Sequence, residues 1–150
     1  MFTYFCIAAV IVFLTRAAAY YAAALLPSGD IPMIQGVLYL RYVENRGAAF
    51  GIFQNEKVFL IGISALIFLL ITVYVFKKRN ELRISFLAPL ALIAGGGVSN
   101  MADRLQFGYV VDYIDVRIIS YPVFNLADIC VVIGVIWLGW KMLFSKQFKG

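Results

Sequence analysis

Apolar residues gather into four long stretches, and polar and charged positions fall almost entirely between them. Met1–Gly29 carries a single charge, Arg16. Val58–Phe76 and Ile84–Ala102 carry none, and Ile118–Trp140 carries only Asp128. A helix needs about 20 mainly apolar residues to cross the hydrocarbon core of a bilayer. The pattern therefore predicts an all-α integral membrane protein, a single membrane domain over 1–150, with four transmembrane helices at about 4–26, 58–76, 84–102 and 122–143. No succession of roughly ten-residue segments alternates with period two, so a β-barrel is not expected. Ala22-Ala23-Ala24 offers small residues of the kind found at leader cleavage sites. No basic region precedes the first stretch, however, and it is longer than a leader's apolar core, so it reads as an uncleaved span.

The connecting segments divide by charge. Lys77, Lys78, Arg79 and Arg83 stand against Glu81 between the second and third spans, and Lys141, Lys146 and Lys149 follow the fourth with no acid. The other two connections carry no net positive charge. Cytoplasmic loops hold the excess of Lys and Arg. Both termini are therefore expected in the cytoplasm, with segments of about 27–57 and 103–121 facing outward. The net charge of +5 is then a matter of topology, and no nucleic-acid partner is expected. Within the first outward segment, Val37-Leu38-Tyr39-Leu40-Arg41-Tyr42-Val43 has strand-like composition, so a small β-like or loop platform is predicted between helices 1 and 2.

Composition narrows the chemistry. The chain is 63% hydrophobic and 14% charged, against about 45–50% and about 25% in a soluble domain, which excludes a free soluble enzyme. Histidine is absent, which removes His-assisted nucleophiles and His-ligated zinc. Cys6 and Cys130 lie in apolar runs without a CxxC spacing and read as buried small hydrophobes. Carboxylates remain. In Gly95-Gly96-Gly97-Val98-Ser99-Asn100-Met101-Ala102-Asp103-Arg104, a continuing helix sets Asn100, Asp103 and Arg104 on one face, which cannot look at lipid without a large penalty; an Asp103–Arg104 clamp at the helix end is the structural reading. Asp112 sits in an apolar stretch of the second outward loop. If Pro122 occupies the first turn of the fourth helix, Asp128 lies about two turns inside it and shares a face with Asn125. A carboxylate there is either half of a buried ion pair, with Arg16 or Arg104, or a proton-active group. Asp112 and Asp128 can meet at the outer membrane boundary, where two close carboxylates share one proton.

Four blocks resemble the lipoprotein signal peptidases, or signal peptidase II. Asn45-Arg46-Gly47-Ala48-Ala49-Phe50-Gly51 is similar to that family's Asn-x-Gly-Ala-Ala-Phe-Ser, and Ser99-Asn100-Met101-Ala102-Asp103-Arg104 to Gly-Asn-x-x-Asp-Arg. Val110-Val111-Asp112-Tyr113 resembles Val-Val-Asp-Phe, and Phe124-Asn125-Leu126-Ala127-Asp128 resembles Phe-Asn-x-Ala-Asp. Ser99 and Gly51 are small-for-small departures. Val12-Phe13-Leu14-Thr15-Arg16 stands where the family has Asp-Gln-x-Thr-Lys, so Arg16 loses the partner that pattern would supply.

The resemblance implies an aspartyl endopeptidase of the bacterial cytoplasmic membrane, with its site at the outer face. Its substrate would be a diacylglyceryl-modified prolipoprotein, cut before the lipidated cysteine, and globomycin-type peptides would inhibit it. Asp112 and Asp128 would be the catalytic pair, and Asn45, Asn100, Asp103, Arg104 and Asn125 would bind substrate. No metal or organic cofactor is implied. Two other readings of the residues are a small proton-coupled transporter using Asp128, and a non-catalytic membrane scaffold using the glycine-rich faces.

Overall fold

A computed structural model of the chain describes residues 1–48 and 51–144. Ala49 and Phe50 of the first block, and Lys146 and Lys149 of the terminal basic run, lie outside the described residues. Four helices, α1 (Phe2–Leu25), α2 (Lys57–Lys77), α3 (Ile84–Phe107) and α4 (Leu126–Phe144), are long and apolar enough to span a membrane. A short 3₁₀ turn, Leu26–Ser28, leads from α1 to strands β1 (Ile31–Ile34) and β2 (Leu38–Asn45). Strand β3 (Val110–Val116) lies between α3 and α4, and the three strands form one antiparallel sheet in the order β1-β2-β3.

The expected spans agree closely in the first two helices and depart in the last two. Helix α3 runs on through Asp103 and Arg104 to Phe107, where Gly108 turns the chain in the left-handed region (φ 88°) and donates its N–H to the Arg104 carbonyl. The segment after it contains strand β3 rather than loop alone. Pro122 is not in a helix, because Phe124 folds back onto β3. The Ile114 N–H donates to the Phe124 carbonyl (2.8 Å), and the Phe124 N–H donates to the Ile114 carbonyl (3.1 Å). Helix α4 therefore begins at Leu126, and Asp128 stands in its first turn instead of two turns deep.

Helix α3 is the centre of the bundle, with α1, α2 and α4 packed around it. Its glycines explain how. A Cβ on Gly95 would stand 3.0 Å from the Ala8 carbonyl oxygen and from Ile11 on α1, and one on Gly96 would stand 2.5 Å from the Ala127 carbonyl oxygen on α4. Gly134 of α4 answers from the other side, 2.8 Å from the Pro89 carbonyl oxygen. In lipid, helix association relies on close backbone approach rather than hydrophobic expulsion. Adjacent glycines thus serve opposite neighbours. Between α1 and α3 the Thr15 and Ser99 hydroxyls are hydrogen-bonded at 2.7 Å, both buried. Most remaining large apolar side chains point outward, as a lipid-solvated bundle requires: α2 has only Leu60 and Val75 buried. Cys6 belongs to this exposed surface and Cys130 is half-buried, so the expected burial of both is corrected; both thiols are free.

Because the obstacle is backbone, Gly96→Ala is expected to push α4 away, at a cost of about 1–3 kcal/mol. It should lower the thermal unfolding midpoint in detergent. Gly62→Ala, where a Cβ meets nothing within 4 Å, should leave the midpoint unchanged or raise it.

Candidate active site

Three backbone arrangements bring the polar blocks together at the end of the bundle that carries the sheet. In the β2–β3 ladder, Val43 is opposite Asp112 and Asn45 is opposite Val110. Asn45 and Asp112 are thus diagonal neighbours, and the Asn45 side-chain amide donates to Asp112 Oδ2 at 2.8 Å. The return of Phe124 onto β3 then delivers Asn125, whose amide donates to Asp112 Oδ1 at 2.8 Å. Finally, Asn125 and Asp128 cap α4 reciprocally. The Asp128 N–H donates to Asn125 Oδ1 (3.0 Å), and the Asn125 N–H donates to Asp128 Oδ2 (3.1 Å). This is a capping box with amide and carboxylate in the usual roles of hydroxyl and glutamate.

Asn100 on α3 closes the circuit. Its amide donates to Asp128 Oδ1 at 2.7 Å, and its carbonyl oxygen accepts from Asn125 at 3.1 Å. One chain of hydrogen bonds therefore runs Asn45, Asp112, Asn125, Asn100, Asp128. Arg104 contributes charge rather than a direct ion pair. Its guanidinium donates to the Gly47 carbonyl oxygen (2.8 Å) and lies within electrostatic reach of both carboxylates. The ion pair considered for Asp128 with Arg16 or Arg104 does not form.

Asp112 is 1% exposed, and Asn125 4%. Burial, followed by the negative charge of Asp128, pushes the Asp112 carboxyl up to about 7, against the opposing effect of the bonds from Asn45 and Asn125. Asp112, Asp128, Asn45, Asn100 and Arg104 line one open cavity of about 540 Å³. Away from the carboxylates its wall is apolar, with Ile67 and Phe68 of α2, Ile93 of α3, and Val131 of α4. Ala48, Gly51 and Gln54, between β2 and α2, also line it. There the Asn55 N–H donates to the Arg46 carbonyl and the Ala48 N–H to the Ile52 carbonyl. Gly47 is required there, since a Cβ would stand 2.8 Å from the Ile52 carbonyl oxygen.

Asp103 does not line this cavity. It is buried and joined to Arg16 by an ion pair, and its Oδ2 also accepts the Val111 N–H at 3.1 Å. Nor do Asp103 and Arg104 clamp one another. Arg16 therefore has a partner despite the altered first-span block, and it also reaches Gln106. Tyr113 was not singled out in the sequence. Its hydroxyl accepts the Leu126 N–H at 3.2 Å, fastening the first turn of α4 to β3, and burial raises its pKa. Among the described residues, no group of three or more Asp, Glu, Cys or His side chains gathers as a metal-binding set.

The family model described as Signal peptidase (SPase) II matches residues 7–144. A lipoprotein signal peptidase of Caldanaerobacter subterraneus subsp. tengcongensis is 41% identical over 144 residues, 95% of this chain and 97% of its own length. One from Moorella thermoacetica is 42% identical over 127 residues, 83% of this chain and 81% of its own. A solved structure, described as a bacterial membrane enzyme determined by the in meso method at 2.3 Å resolution, matches with a TM-score of 0.88. It is 28% identical, and the match covers 100% of this chain and 93% of that one. A fold of four apolar helices and a three-stranded sheet, with the family model matched across almost the whole chain, leads to one conclusion: this chain belongs to the signal peptidase II family of aspartic membrane peptidases.

Proposed function

We propose that Asp112 and Asp128 are the catalytic pair of an endopeptidase that removes the signal peptide from diacylglyceryl-modified prolipoproteins, cutting before the lipidated cysteine. The observation that carries this reading is the hydrogen-bonded circuit: two carboxylates from different elements, bridged by Asn100 and Asn125, line one cavity at the helix ends. A pair sharing one proton supplies both functions that peptide hydrolysis needs. The ionised member takes a proton from water as its oxygen attacks the scissile carbonyl carbon, and the protonated member donates to the carbonyl oxygen. Collapse of the tetrahedral intermediate then breaks the C–N bond while a proton passes to the leaving amine.

The other residues have positional tasks. Asn45 and Asn125 hold the two oxygens of Asp112, while Asn100 and the α4 cap hold those of Asp128. Arg104 balances the net charge of the pair and holds the carbonyl of Gly47, next to Ala48 in the cavity wall. The apolar wall suits the membrane-embedded signal peptide, and Ala48, Gly51 and Gln54 restrict bulk water over the scissile bond. A cyclic lipodepsipeptide such as globomycin would compete for the same cavity. Basic residues at the opposite end support an orientation with both termini in the cytoplasm and the carboxylates at the outer face of the inner membrane. The transporter reading is disfavoured by the position of Asp128 in the first turn of α4, since a relay needs acids at several depths. A scaffold would leave the buried circuit without a task.

Asp112→Asn and Asp128→Asn should each lower cleavage of a lipidated prolipoprotein by at least about 100-fold in reconstituted membranes. Both proteins should keep the thermal unfolding midpoint within a few degrees of wild type. Turnover near the wild-type rate in either folded variant would remove that residue from the pair.

The pH dependence follows from the raised Asp112 pKa. The acid form persists to about pH 7 and is lost above it, so cleavage should decline as pH rises through about 7. A rate that stays constant from pH 6 to 9 would contradict a protonated member of the pair titrating there.

A further inference from the structure

A second cavity, of about 410 Å³, opens at the end of the bundle remote from the sheet. Its sides are Ile71 and Tyr74 of α2 and Leu138 and Met142 of α4, and its floor is Phe86 and Leu90 of α3. Among the described residues, α2 and α4 both pack on α3 rather than on one another, which leaves a lengthwise gap between them. A cation stands at the same end of each of the three helices: Lys77 three residues after Tyr74, Lys141 three residues after Leu138, and Arg83 three residues before Phe86. The i, i+3 spacing keeps Lys77 and Lys141 on the helix face of their groove residues, while Arg83 is the N-cap of α3, in extended backbone just ahead of its first turn. The neighbouring Lys78 is paired with Glu81, and Arg79 lies over the Phe76 ring. Among the described residues, Lys77, Arg83 and Lys141 enter no ion pair. Helix α3 also begins here without a side-chain cap, so its first-turn N–H groups add positive potential at the mouth.

We propose that this groove is a site for one anionic phospholipid. An acyl chain lies between α2 and α4 over Leu90, and the phosphate is held by Lys77, Arg83 and Lys141. Length and polarity fit such a ligand: the groove is apolar along its depth and cationic only at its membrane-surface end. A zwitterionic lipid offers the same chains, but its own ammonium group offsets the attraction. Positive charge for topology alone has no need of a groove between the helices that carry it. The bound lipid would fill the gap between α2 and α4 and hold their spacing, which the cavity at the other end shares. The site stands at the opposite end from the carboxylate pair and does not depend on the catalytic assignment.

Native mass spectrometry of the purified full chain tests this, using an equimolar mixture of dioleoyl phosphatidylglycerol and dioleoyl phosphatidylcholine. Wild type should retain a single phosphatidylglycerol molecule in at least about fivefold excess, the worth of one basic side chain at an anionic surface. Lys141→Gln should reduce the ratio, and Lys77→Gln/Arg83→Gln/Lys141→Gln should bring it to parity. Leu138→Trp fills the groove while leaving every charge in place, and it should lower adducts of both lipids. Should the triple variant not purify in folded form, the Lys141→Gln and Leu138→Trp results decide. Parity in wild type would overturn the proposal. So would a phosphatidylglycerol preference unchanged by Leu138→Trp, since the basic end would then attract surrounding lipid without a site.

Discussion

Two carboxylates cannot be buried beside one another at the end of an apolar bundle unless other groups satisfy nearly all their oxygens. An isolated charge in such surroundings costs several kcal/mol, and a second one close by costs more. Here the cost is met by three asparagine side chains, the backbone N–H of the α4 cap residue Asn125, and one arginine held at electrostatic range. Asparagine suits this task because its amide donates to a carboxylate while its carbonyl accepts from the next amide, so a short chain of them links two acids without adding charge. The members come from β2, β3, α3 and the start of α4, and the positions of those four elements are therefore mutually constrained.

The rest of the fold can be understood as holding those elements in place. Gly95, Gly96 and Gly134 let α1 and α4 approach α3 to backbone contact, which sets the depth of Asn100 against Asp128. The Arg16–Asp103 pair ties α1 to α3, and the second Asp103 oxygen holds the amide of Val111, the residue preceding Asp112. Tyr113, the residue after it, holds the first turn of α4. Asp112 is thus gripped on both sides along its strand as well as by its own hydrogen bonds. The first-span block lacks the acid and amide of the family pattern, and Arg16 supplies the ion pair from α1 to this region, beside the Thr15–Ser99 hydrogen bond and the packing of Ala19 and Ala22 against Val111 and Tyr113.

Asp128 shows how a local device becomes a functional one. Its carboxylate and Asn125 form the cap of α4, a role worth about 1 kcal/mol to a helix. With that cap in place Asp128 lines the cavity while its backbone stays in the first turn of the helix. Stability and site geometry are here carried by the same two hydrogen bonds.

The four spans, the charge asymmetry and the residues of the carboxylate circuit were legible in the sequence. Lipid is a demanding solvent that tolerates few unpaired polar groups, so long uncharged runs and isolated acids stand out without any tertiary information. Three things were not legible. Strand β3 is buried throughout most of its length, and a short apolar run of that kind has no periodicity to distinguish it from a loop. The start of α4 at Leu126 depends on a pairing between Phe124 and Ile114, which a Pro-led helix start could not reveal. The pairing of Asp103 with Arg16, rather than a place in the cavity lining beside Asn100 and Arg104, is set by helix rotation within the bundle. Composition and spacing determine which residues must avoid lipid; only the packing of α1, α3 and the sheet decides which of them face one another, because side-chain pairing across elements is a property of the assembled backbone.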